Sequence, residues 1–174
     1  MSAYGPKDVL PQLNREGGFA KANRYQVLIS TGDATTTEML DLFAENITLP
    51  GKQIMNFDYS LHALKNTVKH PNGFLLEDIS ITFRLTNTYD AKDFFDKWQE
   101  SIITPTYLLN YSAVYERDIH IRQLNEKNKP IYEVTLLNAY PITVSAIELN
   151  SESSNSISKL TVSFTYTEII NRKL

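Results

Sequence analysis

The sequence predicts a mainly β fold, an antiparallel barrel or sandwich of about eight strands with one flanking α-helix. Two stretches carry most of that prediction. Residues 78–86 (DISITFRLT) and 160–168 (LTVSFTYTE) alternate apolar side chains with hydroxyl-bearing or charged ones, the period of two that a half-buried strand needs. The third observation is that residues 90–103 are the one clearly helical segment. Ala91, Phe94, Phe95, Trp98 and Ile102 fall on a single stripe, Asp90 is placed to cap the N-terminus and Pro105 ends the helix.

The remaining elements follow in order. Residues 1–18 mix Gly5, Pro6, Pro11, Gly17 and Gly18 with polar residues and read as a flexible N-terminal arm, leaving 19–174 as a single domain. The first strand is expected at 24–30, with Tyr25, Val27 and Ile29 on one face. One or two helical turns are expected at 38–43, then a strand at 45–49. Pro50 followed by Gly51 suits the centre of a type II turn, which requires positive φ at the glycine; a strand at 53–59 follows. Residues 60–76 show no convincing period. That stretch carries His62, Lys65, Lys69 and His70 with no carboxylate until Glu77, so it reads either as a solvated loop or as a basic arm that docks on an acidic neighbouring subunit. Further strands are expected at 118–124, 131–137, 142–149 and 159–168. The polar run 125–130 (NEKNKP) joins the first two of these as a hairpin, and a Ser/Asn-rich loop, 151–158, joins the last two. One amphipathic helix beside many strands fits a helix covering the open end or edge of a barrel.

Composition narrows the function. The chain has 174 residues, 42% hydrophobic and 21% charged, which suits one globular domain with a sizeable core. Lys and Arg total 17 against 20 Asp and Glu, a formal net charge of −3, so the positive footprint that grips phosphate is missing. Without cysteine there is no disulfide, thiolate nucleophile or cysteine zinc site. The first 18 residues lack the cationic and apolar pattern of a secretory signal, and no apolar run approaches the roughly 18 residues of a membrane helix, so synthesis in a cytoplasm without membrane anchoring is expected.

No catalytic, metal or cofactor site emerges. His62, His70 and His120 lack metal-ligand spacing. Glu77 and Asp78 are neighbours that point to opposite faces of a strand. Asp90, Asp93 and Asp96 are explained by the positive end of the helix dipole, and no phosphate-binding glycine loop or nucleophile elbow is present. The protein is therefore expected not to be an enzyme and to need no cofactor. The aromatic residues could in principle stack bases, making a nucleic-acid-binding β-barrel an alternative. However, Tyr25, Phe83, Tyr132, Phe164 and Tyr166 share strand faces with aliphatics, as core residues do, and few Lys or Arg stand between the rings.

Seven segments in order resemble one family. They are 24–29 (RYQVLI), 43–51 (FAENITLPG), 78–85 (DISITFRL), 94–103 (FFDKWQESII), 121–124 (IRQL), 138–145 (NAYPITVS) and 160–166 (LTVSFTY). Together they resemble the tail tube proteins of contractile-tailed bacteriophages, related to the inner tubes of pyocins and other contractile injection systems. The resemblance implies a structural virion protein whose hexameric rings stack into a hollow conduit for genome delivery inside a contractile sheath. It implies self-association, and as partners the sheath protein, baseplate and tail terminator proteins, and a tape measure protein or DNA passing through the lumen without specific binding. It places the protein in the virion tail, assembled in the host cytoplasm. A baseplate tube initiator or adaptor ring, or the tube of an injection system, are the alternatives within the same resemblance. Each subunit of such a tube contributes strands to the inner wall. Taking the hairpins flanking Pro50-Gly51 and 125–130 for that wall, alternation points Asn46, Thr48, Asn56, Asp58, His120, Arg122, Glu133 and Thr135 into the lumen. The competing wall is the hydroxyl row Ser80, Thr82, Thr161, Ser163 and Thr165, expected to face outward.

Overall fold

Strand pairing in the computed structural model, which describes residues 11, 13, 18–60, 67–104, 106–147, 149 and 157–174, divides the strands between two sheets. The strands are β1 (Tyr25–Ile29), β2 (Ala44–Ile47), β3 (Lys52–Ser60), β4 (Thr67–Leu76), β5 (Ile79–Arg84), β6 (Arg117–Leu124), β7 (Pro130–Val144), β8 (Lys159–Thr165) and β9 (Glu168–Lys173). Three helices are described, α1 (Ala34–Phe43), α2 (Asp90–Ile102) and the single turn α3 (Ser112–Tyr115). The larger sheet runs β1-β6-β7-β8-β5-β2 with β9 also paired to β7, and every pairing is antiparallel. Strands β3 and β4 form a separate two-stranded sheet. The mainly β expectation holds.

The core is the apolar half of the alternation. Val27 and Ile29 of β1, Ile119 and Ile121 of β6, Ile79, Ile81 and Phe83 of β5, and Leu160, Val162 and Phe164 of β8 are all buried. Helix α2 lies over this layer with Ala91, Phe95 and Trp98 inward, as its stripe predicts. The Phe95 ring sits 5.1 Å from that of Phe83 and 5.8 Å from that of Phe164, and the Trp98 ring 5.9 Å from Phe164. Trp98 Nε1 donates to the Tyr115 carbonyl at 2.7 Å, which gives the buried indole its partner. The aromatic side chains that might have stacked bases are core residues: Phe83, Phe164 and Tyr166 are buried, and Tyr25 and Tyr132 pack half-buried against them.

Several sequence expectations need correction. The expected strands 131–137 and 142–149 are one strand, β7, which bends at Asn138. That residue takes the left-handed conformation (φ 54°) at a β-bulge, and its amide donates to Asp118 Oδ1. Before the bend β7 pairs with β6 and β9; just after it Ala139 still pairs with Arg117 of β6, and from Tyr140 onward β7 pairs with β8. The expected strand 159–168 breaks after Thr165, and the chain then forms β9, raising the count to nine. The aperiodic stretch 60–76 contains β4, whose period is disguised by Pro71 and by the bulge beside Gly73. The turns expected at 38–43 are the end of the ten-residue α1, capped by Asp33 accepting from the Thr36 amide at 3.1 Å. Asp90 is the first residue of α2 and not its cap; Tyr89 holds that position with φ 56° while the Asp90 carboxylate accepts from Thr88.

Pro50-Gly51 is not a type II turn. Gly51 is not among the positive-φ glycines Gly18, Gly32 and Gly73, and residues 48–51 link β2 to β3 without turning back. Strands β2 and β3 therefore lie in different sheets, and no hairpin flanks this dipeptide. The NEKNKP hairpin does form between β6 and β7, with Asn128 left-handed and Asn125 Oδ1 accepting from the amides of Lys127 and Lys129. The expected arm at 1–18 and the loop at 151–158 lie almost wholly outside the described residues.

Candidate functional site

Four residues of the expected lumen set come together on one face. In the β6–β7 register His120 stands opposite Thr135 and Arg122 opposite Glu133. The His120 Nδ1 lies 3.1 Å from Thr135 Oγ1, and the Arg122 guanidinium donates to one Glu133 oxygen while the other lies 4.0 Å from His120. The Glu133 side chain is 14% exposed. The hydrogen bond from Arg122 holds its carboxyl below the usual carboxylate range against the opposing effect of burial, with further help from the charges of Arg122, His120 and Arg172. Arg172 stands opposite Glu133 on β9, so the charged face spans β6, β7 and β9. Thr48, in the link after β2, does not join this face: it lines a cleft of about 320 Å³ with Tyr25, Ile121, Gln123 and Tyr132, which alternate with His120, Arg122 and Glu133 and so belong to the opposite side of the sheet.

Asn46 does not join them. It pairs with Thr82, so it lies beside the hydroxyl row on the other half of the large sheet. There Thr82 and Thr161 hydroxyls meet at 3.0 Å and those of Ser80 and Ser163 at 2.9 Å, cross-strand pairs that stitch β5 to β8. At the end of this row Glu45 Oε1 accepts from Lys159 Nζ at 2.9 Å and Arg84 at 3.3 Å, and those two hydrogen bonds lower the Glu45 pKa. Asn56 and Asp58 are elsewhere again, opposite Pro71 and Lys69 in the β3–β4 hairpin. The eight residues thus divide among four places, because alternation orders side chains within a strand but does not say which strands share a sheet.

The β3–β4 hairpin also holds the described half of the expected basic arm. Lys69 and His70 are exposed on β4, with the His70 ring 5.8 Å from Phe57; His62 and Lys65 lie outside the described residues. The sequence reading missed how apolar this hairpin is. Ile54 and Phe74 are exposed on one face, and Met55, Phe57 and Leu75 on the other. Its base is tied to the body by Lys52 Nζ donating to the Ile169 carbonyl at 3.1 Å. Also unremarked was an exposed apolar stretch between α2 and β6, visible in the sequence as fifteen residues, 101–115, without a charge.

The two large-sheet faces differ in edge chemistry. Beyond β1 the edge is sealed by α1: the Val27 amide donates to Asp41 Oδ1 at 2.7 Å, and Thr37 Oγ1 donates to the Ile29 carbonyl. Tyr25 reaches across the seam to donate to the Ala44 carbonyl at 3.0 Å. Beyond β2 no further strand is paired among the described residues. Among those residues no cluster of three or more His, Asp or Glu could hold a metal ion, and no helix is long and apolar enough to cross a membrane.

Such an arrangement offers surfaces for assembly. Known proteins point the same way. No curated protein matches the chain. Among solved structures, a chain of the PVC sheath/tube terminator of an extracellular contractile injection system superposes with a TM-score of 0.69 at 16% identity, covering 87% of this chain and 95% of its own. A chain of the anti-feeding prophage tube-terminating cap gives 0.68 at 15%, covering 100% and 95%. One from the PVC sheath-tube complex gives 0.67 at 16%, covering 99% and 100%. At these identities the likeness is one of fold. The family model described as phage tail tube protein matches residues 18–171, nearly the whole of the sheet system described above, and the chain belongs to that family.

Proposed function

We infer that this structural tail tube protein is the repeating subunit of a hollow tube, built by stacking hexameric rings of identical copies. The observation that carries the reading is the β3–β4 hairpin. A two-stranded sheet is marginal on its own in water, and this one stands apart from the main sheet with large apolar side chains exposed on both faces. Packing against another copy supplies the missing burial and covers open strand edges. Nothing in the assembly requires catalysis, a cofactor or a membrane anchor; the work is mechanical, as a conduit driven forward when a surrounding sheath shortens.

Side-chain chemistry favours one face as the bore. A continuous wall needs sheet edges that can meet from copy to copy; among the described residues the outer edges of β2 and β9 have no further strand, whereas α1 covers β1. The half ending at the uncovered β2 edge carries Ser80, Thr82, Thr161 and Ser163, with Asn46 beside them. This reading gives the lumen to the neutral hydroxyl row and turns the His120, Arg122, Glu133 and Thr135 face toward the outer partners, the reverse of the sequence-based assignment. The hydroxyl row hydrates well, and the two cations at its end, Arg84 and Lys159, are already hydrogen-bonded to Glu45, so DNA or a tape measure protein passes with little to hold it. Each added copy brings −3 of formal charge, which also discourages adsorption. Sheath, baseplate and terminator proteins are the expected outer and end partners, in a virion tail assembled in the host cytoplasm.

A second reading within the family makes the chain a terminal or baseplate-proximal ring, since tube, terminator and cap chains superpose almost equally well. Sedimentation of the purified protein over a wide concentration range tests both. The repeating subunit grows without a fixed upper size, an end ring stops at one discrete oligomer, and a species that stays monomeric throughout contradicts both.

A further inference from the structure

We propose that Asn72 and Gly73, at the β-bulge of the β3–β4 hairpin, form a self-modification site. The Asn72 side chain cyclises onto the Gly73 backbone nitrogen, and water then opens the ring to aspartate or isoaspartate.

The reaction needs a carboxamide free to turn and a following backbone nitrogen that no side chain shields. Asn72 is the one asparagine of this chain followed by glycine, which brings no Cβ against the line of attack. The register sets Asn56 against Pro71 and Met55 against Gly73, so Asn72 is the extra residue of the bulge with nothing paired across from it. Pro71 beside it has no amide N–H to add to the ladder. Asn72 and Gly73 are both exposed, so water reaches the ring once it forms. The Asn72 carboxamide makes no hydrogen bond to another described residue.

Other asparagines are held. The Asn110 side chain donates to the Ser101 carbonyl, and Asn125 Oδ1 accepts from the Lys127 and Lys129 amides. Asn128 Oδ1 accepts from Arg24, and the Lys129 nitrogen that would have to attack it is the one donating to Asn125. The hairpin differs from the main sheet in another way. Two strands standing apart open locally at low cost, and each opening lets the backbone at Gly73 turn its nitrogen onto Asn72 Cγ.

In the first step the Gly73 nitrogen loses its proton and bonds to Asn72 Cγ. The side-chain nitrogen takes up a proton and leaves as ammonia, and a cyclic imide remains. Water then adds to one of the two imide carbonyls. Breaking the bond from the Gly73 nitrogen to Cγ gives aspartate. Breaking its bond to the Asn72 main-chain carbon gives isoaspartate, with the backbone now running through Cγ. Nothing is oxidised or reduced. Either product adds a negative charge to the hairpin. Isoaspartate also lengthens the backbone between Pro71 and Gly73, disturbing the pairing of residues 73–76 with 52–55 at the hairpin base. On the tube-subunit reading, on which this consequence rests, conversion retires copies that wait unassembled.

Dissociated, unaltered protein aged at neutral and mildly alkaline pH, then mapped by peptide mass spectrometry, tests the site. Acid should replace amide at Asn72 about ten-fold or more faster than at Asn110, Asn125 or Asn128. The rate should rise with pH, because the attacking nitrogen must lose its proton, and chromatography should resolve two products of equal mass. Conversion at Asn72 no faster than at the held asparagines overturns the proposal, as does aspartate as the sole product. Asn72→Gln keeps a carboxamide but disfavours the ring. After the same ageing it should assemble like fresh protein, while the unaltered chain loses assembly. Equal loss in both overturns the consequence for assembly. Fresh unaltered protein that never assembles contradicts the tube reading, and the peptide map still decides the site.

Discussion

Asp41 Oδ1 accepts a hydrogen bond from the Val27 amide at 2.7 Å, and through that contact α1 closes one edge of the main sheet. A strand edge left open recruits the next available strand. With β1 sealed, the outer edges of β2 and β9 are the ones that no further strand pairs among the described residues. Asp41→Ala removes the acceptor from a backbone donor that has no strand beside it, and is expected to destabilise the fold by about 1–3 kcal/mol. Asp41→Asn keeps an acceptor oxygen and should lose less. Chemical denaturation of monomeric protein decides this, with unequal losses expected and equal losses counting against the edge-sealing role.

The Arg122–Glu133 pair makes stability depend on pH in a stated direction. Glu133 has a folded pKa below its unfolded value, so its contribution is fully present above the unfolded value and is lost as pH falls through the folded one. Arg122→Gln should cost about 1–2 kcal/mol at neutral pH and flatten the acid limb of the stability profile. Denaturation midpoints between neutral and strongly acidic pH would show the variant and parent curves converging at low pH. Parallel curves would remove the pair as the cause.

Gly51 and Gly32 separate backbone need from mere presence. An added Cβ at Gly51 meets nothing within 4 Å, and φ there is not positive, so Gly51→Ala is expected to change stability by no more than about 0.5 kcal/mol. Gly32 has equally open surroundings but φ of 80°, and Gly32→Ala should cost about 1–2 kcal/mol from backbone strain alone. Thermal melts of both variants check the contrast; a larger loss at Gly51 would restore a turn requirement there.

Single cysteines report which face lines the bore. In assembled protein, Thr161→Cys should react many-fold more slowly than Arg122→Cys with a bulky polyethylene-glycol maleimide, while a small maleimide reaches both. In disassembled protein the difference should vanish. The opposite ranking would return the lumen to the charged face.

How far the sequence reveals this architecture depends on how local the information is. The cores of β5 and β8 were legible because Ile79, Ile81, Phe83 and Leu160, Val162, Phe164 alternate without interruption. Strand β9 was not, since Ile169 and Ile170 are adjacent and Asn171, Arg172 and Lys173 follow, a pattern with no period of its own. Its pairing with β7 supplies the order that its composition lacks. Pro71 and Gly73 hid β4 in the same way, and the break expected between 137 and 142 is spanned by Asn138, whose left-handed conformation forms a bulge through which the sheet continues. The expected lumen set divides for a different reason. His120, Arg122, Glu133 and Thr135 were grouped correctly because a short hairpin fixes their register. Asn46 and Asn56, ten residues apart, were separated by sheet assignment, which only long-range pairing decides.

Electron microscopy of the purified, unaltered protein at high concentration tests self-association most directly. Hollow cylinders or six-fold rings with a central channel are the expected images. Uniform single particles of monomer size, across all concentrations and salts, would contradict a tube built from identical copies.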